Sequence, residues 1–203
     1  MSSQYAEIYN SIYSHILAKL QTELSHRFTY HCINHTLDVL EQVQQIATRE
    51  GVKDEQKFFL LKVAALYHDI GFLFIYTGHE EKGCELVQKE LPGFGLIPLQ
   101  IKKICGMIMA TKIPQSPKNK MEEIICDADL DYLGRDDVEF ISNNLYTEFL
   151  DFGFVKNHDD WMRKQIGFFE LHNYFTKSSQ ELRHPEKMKQ LAKLKAYFLP
   201  GNQ

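Results

Sequence analysis

The stretch that decides the fold is residues 57–71, Lys-Phe-Phe-Leu-Leu-Lys-Val-Ala-Ala-Leu-Tyr-His-Asp-Ile-Gly. Its apolar residues recur at helical spacing, which predicts a core helix. His68 lies four residues after Ala64. Asp69 lies four residues after Ala65, so both polar side chains point where the apolar stripe points. A polar group buried there is costly without a partner, and the helix is therefore predicted to end in a polar site.

Helical periodicity continues on both sides of this stretch, and no run alternates clearly enough to be a strand. Gly51 can end one helix and Asp54 can cap the next, while Gly134 follows Leu133 as a C-terminal stop. Helices are predicted at about 4–24, 34–50, 54–71, 78–91, 97–112, 120–133, 137–152, 157–176 and 179–198. No repeat or linker divides the chain, which predicts one all-α domain over residues 1–203.

The composition excludes several classes of protein. Of 203 residues, 44% are hydrophobic and 25% are charged, which fits one soluble domain. A net charge of -4 without a basic stripe argues against nucleic acid as a general ligand. We expect no membrane partner, because no stretch has the apolar length of a membrane span. The N-terminus lacks signal-peptide features and the four cysteines form no C-x-x-C pair, so a cytoplasmic location is expected.

Two more residues join His68 and Asp69 as candidate metal ligands. His35 lies one turn before Val39 on the apolar face of its helix, and Asp129 lies four residues beyond Ile125. A buried carboxylate needs a counter-charge, which a divalent cation supplies. His35 alone is more often a satisfied core histidine, and Asp69 alone fits a hydrogen bond between helices. The adjacent His-Asp pair together with the other two residues favours a shared metal site.

These motifs resemble those of a known family. The order His35, His68-Asp69, Asp129 is similar to the defining pattern of the HD superfamily of metal-dependent phosphohydrolases, over residues from about 30 to 134. The resemblance implies a helical bundle of the HD-domain type, completed by C-terminal helices at 137–198. It also implies metal ligation by His35, His68, Asp69 and Asp129.

A second resemblance concerns Tyr30-His31-x-x-x-His35, which is similar to a segment of cyclic-nucleotide phosphodiesterases. It implies that His31 is a general acid; the alternative is an exposed or capping residue. His79 and Glu80 are predicted to act near a substrate phosphate or the attacking water, although Thr77 to Glu80 also fits a capping box.

Lys82 and Lys112 are candidate phosphate contacts, and ordinary solvated lysines are the alternative. In the C-terminal half, aromatic residues are expected to form a core, and some of them to wall a pocket for a base or another apolar group. These residues are Phe149, Phe152, Trp161, Phe168 and Phe169.

The chain departs from the two-metal members of the superfamily, because no histidine occurs at residues 107–112. We therefore predict one divalent ion, which is Mn, Fe, Mg, Ni, Co or Zn. The predicted function is hydrolysis of a phosphate ester, of a nucleotide or a related small molecule, by metal-activated water, in which Asp69 or Asp129 orients the water. A nucleotide-sensing module without turnover and a di-iron oxygenase are the alternatives, and a homodimer is compatible with each.

Overall fold

The computed structural model describes residues 3–198, and every regular element in that part of the chain is a helix. The prediction of an all-α fold is confirmed. The two limits of the predicted domain, residues 1 and 203, lie outside the described residues. The α-helices are α1 Ser3–Glu23, α2 Ile33–Arg49, α3 Glu55–Tyr67, α4 His79–Glu90, α5 Pro98–Thr111, α6 Lys120–Asp129, α7 Val138–Asp151, α8 His158–Leu171, α9 Lys177–Leu182 and α10 His184–Ala196.

Helix α3 forms the centre of the N-terminal half, where it packs against α1, α2, α5 and α6. Phe59, Leu60 and Leu61 are at most 1% exposed, although these successive residues point in three different directions around the helix. A helix that is apolar on all sides is buried on all sides. The composition of residues 57–71 therefore places this segment in the main core, and the core fixes the end that carries His68.

Helices α7 to α10 form the C-terminal half, which is tied to α6 by one buried carboxylate. Asp127 accepts hydrogen bonds from the backbone N–H groups of Phe175 and Thr176, both at 2.8 Å, and from the Thr176 hydroxyl at 2.7 Å. These bonds satisfy a carboxylate that burial would otherwise make costly. The segment between α8 and α9 is thereby fixed against the helix that carries Asp129.

Several helices end earlier than the sequence pattern predicts. Helix α3 stops at Tyr67 and is followed by a 3₁₀ turn at Ile70–Leu73. The turn passes so close to α4 that a Cβ on Gly71 would lie 2.0 Å from the His79 carbonyl oxygen. Only glycine permits this approach, and it brings the start of α4 next to Asp69.

The C-terminal helices differ from the prediction in the same way. Helix α6 ends at Asp129, and a 3₁₀ turn at Asp131–Gly134 follows it. The predicted helix 157–176 ends at Leu171, where the segment held by Asp127 begins. The predicted helix 179–198 is two helices, because Pro185 lies in the first turn of α10 and starts a new helix.

Among residues 3–198 we find no helix with the length and apolar character that crossing a membrane requires.

Candidate metal centre

The structure brings the four predicted metal ligands together, although they come from three separate parts of the chain. His35 Nε2 lies 3.2 Å from both Asp129 Oδ1 and His68 Nε2. Asp69 Oδ2 lies 3.1 Å from His68 Nε2 and 3.4 Å from His35 Nε2. Each histidine therefore offers the same ring nitrogen to both carboxylates.

The electrostatics of these residues favours a cation between them. Burial opposes the charged form of His35, but hydrogen bonds with Asp129 and Asp69 outweigh it and raise its pKa to about 9. Burial likewise opposes ionisation of Asp129, yet hydrogen bonds from His35 and His68 lower its pKa to about 2. Without another cation, two ionised carboxylates hold protons on the histidines. A divalent ion supplies the same positive charge without them.

The donor set fits such an ion. His35, His68 and Asp129 each present one ligand atom within 4.8 Å of the others. Asp69 Oδ2 is buried and faces the Nε2 atoms of His35 and His68. His68 Nδ1 donates to the Ala65 carbonyl at 2.8 Å, so the lone pair of Nε2 points into the cluster. Two imidazoles and two carboxylates suit a first-row transition ion or a hard divalent cation.

His31 lies next to this cluster and is held by a residue that the sequence pattern did not reveal. Its Nδ1–H donates to Glu148 Oε1 at 2.5 Å, and Tyr76 donates its hydroxyl to the same oxygen at 2.8 Å. The backbone N–H groups of Tyr30 and His31 donate to Glu148 Oε2 at 2.9 and 3.0 Å. A carboxylate only accepts hydrogen bonds, so Nδ1 carries the proton and Nε2 remains for the cavity.

Glu148 is fully buried on α7 and carries a charge. Burial opposes its ionisation, but the hydrogen bond and charge of His31 together with the two backbone donors outweigh that effect and lower its pKa. Asn144, Thr147 and Asp151, polar residues beside it on the same helix, gave α7 the pattern of a surface helix. Sequence spacing contains no signal for this contact, because Glu148 and His31 are 117 positions apart.

His79 and Glu80 occupy the first turn of α4, at the edge of the cluster. His79 Nδ1 donates to the Tyr76 carbonyl at 2.9 Å, and its Nε2 lies 3.5 Å from Asp69 Oδ1 and from Glu80 Oε1. Gly78 is the N-cap of α4 and no side chain caps the helix, so the capping box does not form. Both side chains line the same cavity as Asp69.

The two candidate phosphate-binding lysines lie elsewhere. Lys112 forms an ion pair with Glu81, and Lys82 forms one with Glu85 at 2.7 Å. Neither side chain lines the cavity beside the candidate metal ligands. Their phosphate contact stays a prediction, which the geometry does not support.

A cavity of about 400 Å³ opens onto the candidate metal centre. Asp69, Asp129 and His31 line one part of it, and aromatic rings from α7 and α8 line much of the remainder. Trp161 and Phe149 meet edge to face, with ring centroids 5.7 Å apart. Of the aromatic residues predicted to wall a pocket, Phe149, Trp161, Phe168 and Phe169 line this cavity, whereas Phe152 does not.

The fold and the site together define an all-α protein with a candidate divalent-metal centre at the base of a cavity. The HD-domain family model matches residues 32–131, the part of the chain that supplies His35, His68, Asp69 and Asp129. The chain therefore contains an HD domain over residues 32–131, and proteins with this domain include metal-dependent hydrolases.

Two solved structures share this fold. A predicted HD superfamily hydrolase from an uncultured Thermotogales bacterium aligns with a TM-score of 0.60 at 19% identity, over 91% of this chain and 90% of its own. A structural-genomics target from Lactobacillus plantarum aligns with a TM-score of 0.64 at 16% identity, over 98% of both chains. At these identities the likeness concerns the fold alone. Comparison with curated proteins gives no match.

Proposed function

We propose that this protein is a metal-dependent phosphohydrolase that cleaves a phosphate ester of a nucleotide or a related small molecule. The observation that carries the proposal is that His31, held by Glu148, lines the same cavity as the two carboxylates of the candidate metal centre. A general acid beside a metal site is the arrangement that ester cleavage with an alkoxide leaving group requires.

One divalent ion would be held by His35, His68, Asp69 and Asp129. When bound, it would supply a positive charge to a phosphoryl oxygen and lower the pKa of a water molecule. The remaining steps belong to the chain itself. Asp69 and Asp129 accept hydrogen bonds, and either of them can orient the attacking water. His31 protonates the leaving oxygen through Nε2 while Glu148 holds the ring by Nδ1.

His79 and Glu80 contribute to the same half of the cavity. Glu80 is buried beside His79, and His79 is stacked on Phe72 with ring centroids 3.8 Å apart. The stack and the bond to the Tyr76 carbonyl fix the imidazole. Burial opposes its charged form, but Asp69 outweighs that effect and raises the pKa of His79, and in the protonated ring Nε2 can donate to a substrate oxygen near Asp69. These two residues thus orient the water or the phosphate.

The finer parts of the proposal concern the substrate and its setting. Aromatic rings along α7 and α8 suit a flat apolar group, such as a nucleobase, and the cavity volume lies in the range of small-molecule sites. The net charge of -4 is consistent with a small substrate instead of a nucleic-acid polymer. A cytoplasmic location and one ion per chain complete the proposal.

The experiment is metal analysis followed by a screen of mono-, di-, tri- and cyclic nucleotides. We expect one transition or hard divalent ion per chain and turnover that is lost in His68→Ala. His26→Ala is the matched control, because His26 is exposed and lies outside the site. A fully metallated chain that hydrolyses nothing in the panel would point to the nucleotide-sensing alternative. Two irons per chain would point to the oxygenase.

A further inference from the structure

Two thiols face each other between α4 and α5. The Cys84 thiol donates to the carbonyl oxygen of Cys105 with Sγ at 3.5 Å, and the Cys105 thiol donates to the carbonyl oxygen of Cys84 at 3.8 Å. Because each sulfur reaches the backbone of the other residue, the two side chains lie side by side. The pair could not be recognised from the sequence, because the two cysteines are 21 positions apart.

The two thiols differ in access and in acidity. Cys84 is buried, whereas Cys105 is partly exposed. The Cys84 thiol can donate to the ionised Cys105 sulfur, and this effect outweighs burial and lowers the pKa of Cys105 to about 7. The same hydrogen bond and burial raise the pKa of Cys84. Thiolates, not thiols, attack oxidants, so Cys105 is the residue that reacts first.

The other two cysteines have a different environment. Cys126 is buried and donates its thiol to the Ala110 carbonyl at 3.1 Å, and burial raises its pKa. Cys32 donates to the Thr29 carbonyl at 3.8 Å. Both therefore serve as internal references for a reaction that is specific to the pair.

We propose that Cys84 and Cys105 form an oxidisable dithiol, a modification site that hydrogen peroxide converts into a disulfide between α4 and α5.

The chemistry balances in two steps. The Cys105 thiolate attacks one oxygen of the peroxide, so that an S–O bond forms, the O–O bond breaks, and the departing hydroxide takes up a proton to become water. The Cys84 sulfur then attacks the sulfenic acid, so that the S–S bond forms, the S–O bond breaks, and a second water leaves. Two thiols lose two electrons and two protons, and one peroxide is reduced to two waters.

The position of the pair gives the cross-link a structural consequence. Cys84 lies one helical turn after Glu80 on α4, and α5 continues from Cys105 to Thr111, which lines the same cavity as Glu80. The disulfide would thus join two helices that contribute to the cavity wall. The inference rests on the sulfur contacts alone and does not depend on the proposed function.

The test is peptide mapping of the folded chain after treatment with hydrogen peroxide. Trypsin places Cys84 in the peptide of residues 83–89 and Cys105 in that of residues 104–112. We expect these two peptides to be linked, with loss of the mass of two hydrogen atoms, and the thiol titre of the denatured chain to fall from four to two. Cys32 and Cys126 should remain alkylatable.

Cysteine-to-serine variants distinguish a specific disulfide between Cys84 and Cys105 from unspecific oxidation of the cysteines. In Cys84→Ser we expect Cys105 to stop at the sulfenic acid, which a 1,3-diketone probe traps, whereas Cys126→Ser should form the link as the wild type does. Sulfinic Cys105 beside a free Cys84 in the wild-type chain would overturn the proposal. A link that involves Cys32 or Cys126, or a titre that stays at four, would overturn it equally.

Discussion

Replacing Glu148 by glutamine gives the sharpest test of the His31 arrangement. The amide keeps one acceptor oxygen, which can still serve the N–H groups of Tyr30 and His31. Its NH₂ group then faces His31 Nδ1 and Tyr76, where the carboxylate accepted two hydrogen bonds. Since an NH₂ group only donates, Nδ1 must become an acceptor, and the imidazole proton moves to Nε2.

The expected loss follows from this change of tautomer. A neutral imidazole that carries its proton on Nε2 is a much weaker acid than the protonated ring. General acid catalysis contributes about 10²- to 10⁴-fold, and amide replacement of the carboxylate beside a catalytic histidine costs about 10⁴ in kcat in a serine-protease triad. We therefore expect kcat of Glu148→Gln to fall by about 10²- to 10⁴-fold on an alkyl phosphate ester.

The assay compares two leaving groups. p-Nitrophenolate departs without protonation, so the variant should lose less than about tenfold on p-nitrophenyl esters. Buried donors left unpaired cost about 1–3 kcal/mol each, so thermal unfolding must confirm that the variant is folded at the assay temperature. Glu139→Gln is the control, since Glu139 is exposed on the same helix. Equal losses on both esters, or none on the alkyl ester, would refute this role of Glu148.

Three further predictions concern metal, pH and packing. His35→Ala should lower the bound metal from one ion per chain to none in elemental analysis, whereas His26→Ala should keep it; equal metal content in both would contradict the assigned ligands. Burial and the charge of Lys187 lower the pKa of His172 to about 3, against about 6.5 when unfolded. Above pH 6.5 His172 is neutral in both the folded and the unfolded chain. Below pH 6.5 the unfolded chain binds a proton at this histidine, whereas the folded chain does not until the pH approaches about 3. This difference in proton binding lowers the free energy of unfolding by about 1.4 kcal/mol per pH unit. Between pH 6.5 and 5, urea unfolding should therefore show a loss of free energy of unfolding that is roughly 2 kcal/mol larger for the wild type than for His172→Phe. Parallel pH curves for the two proteins would contradict this prediction. Gly71→Ala should lower both the unfolding midpoint and the metal affinity, because the Cβ of the alanine would lie 2.0 Å from the His79 carbonyl oxygen. An unchanged midpoint would show that the turn can rearrange at little energetic cost.

The grouping of the candidate ligands could be predicted from sequence because each of them lies in, or directly after, a helix whose apolar stripe faces the core. His68 and Asp69 continue the apolar stripe of α3, and the periodicity of a helix states which way such residues point. The core then only has to bring α2, α3 and α6 together. Residues that were selected from local sequence patterns therefore lie close together in the structure.

Glu148 could not be predicted for the opposite reason. Its role depends on how α7 crosses the segment of Tyr30 and His31, and a helical period does not encode that crossing. Lys112 shows the same limit, because its ammonium forms a salt bridge with Glu81 and its side chain does not line the cavity. The early ends of α3 and α6 depend on close packing of neighbouring backbones, as at Gly71.

The cavity wall from α7 and α8 lies outside residues 32–131, the part that the HD-domain model matches. Substitutions at Phe149 or Trp161 leave every candidate metal ligand in place. Under the proposed function, substrate preference could therefore change without any change in the residues that would hold the ion.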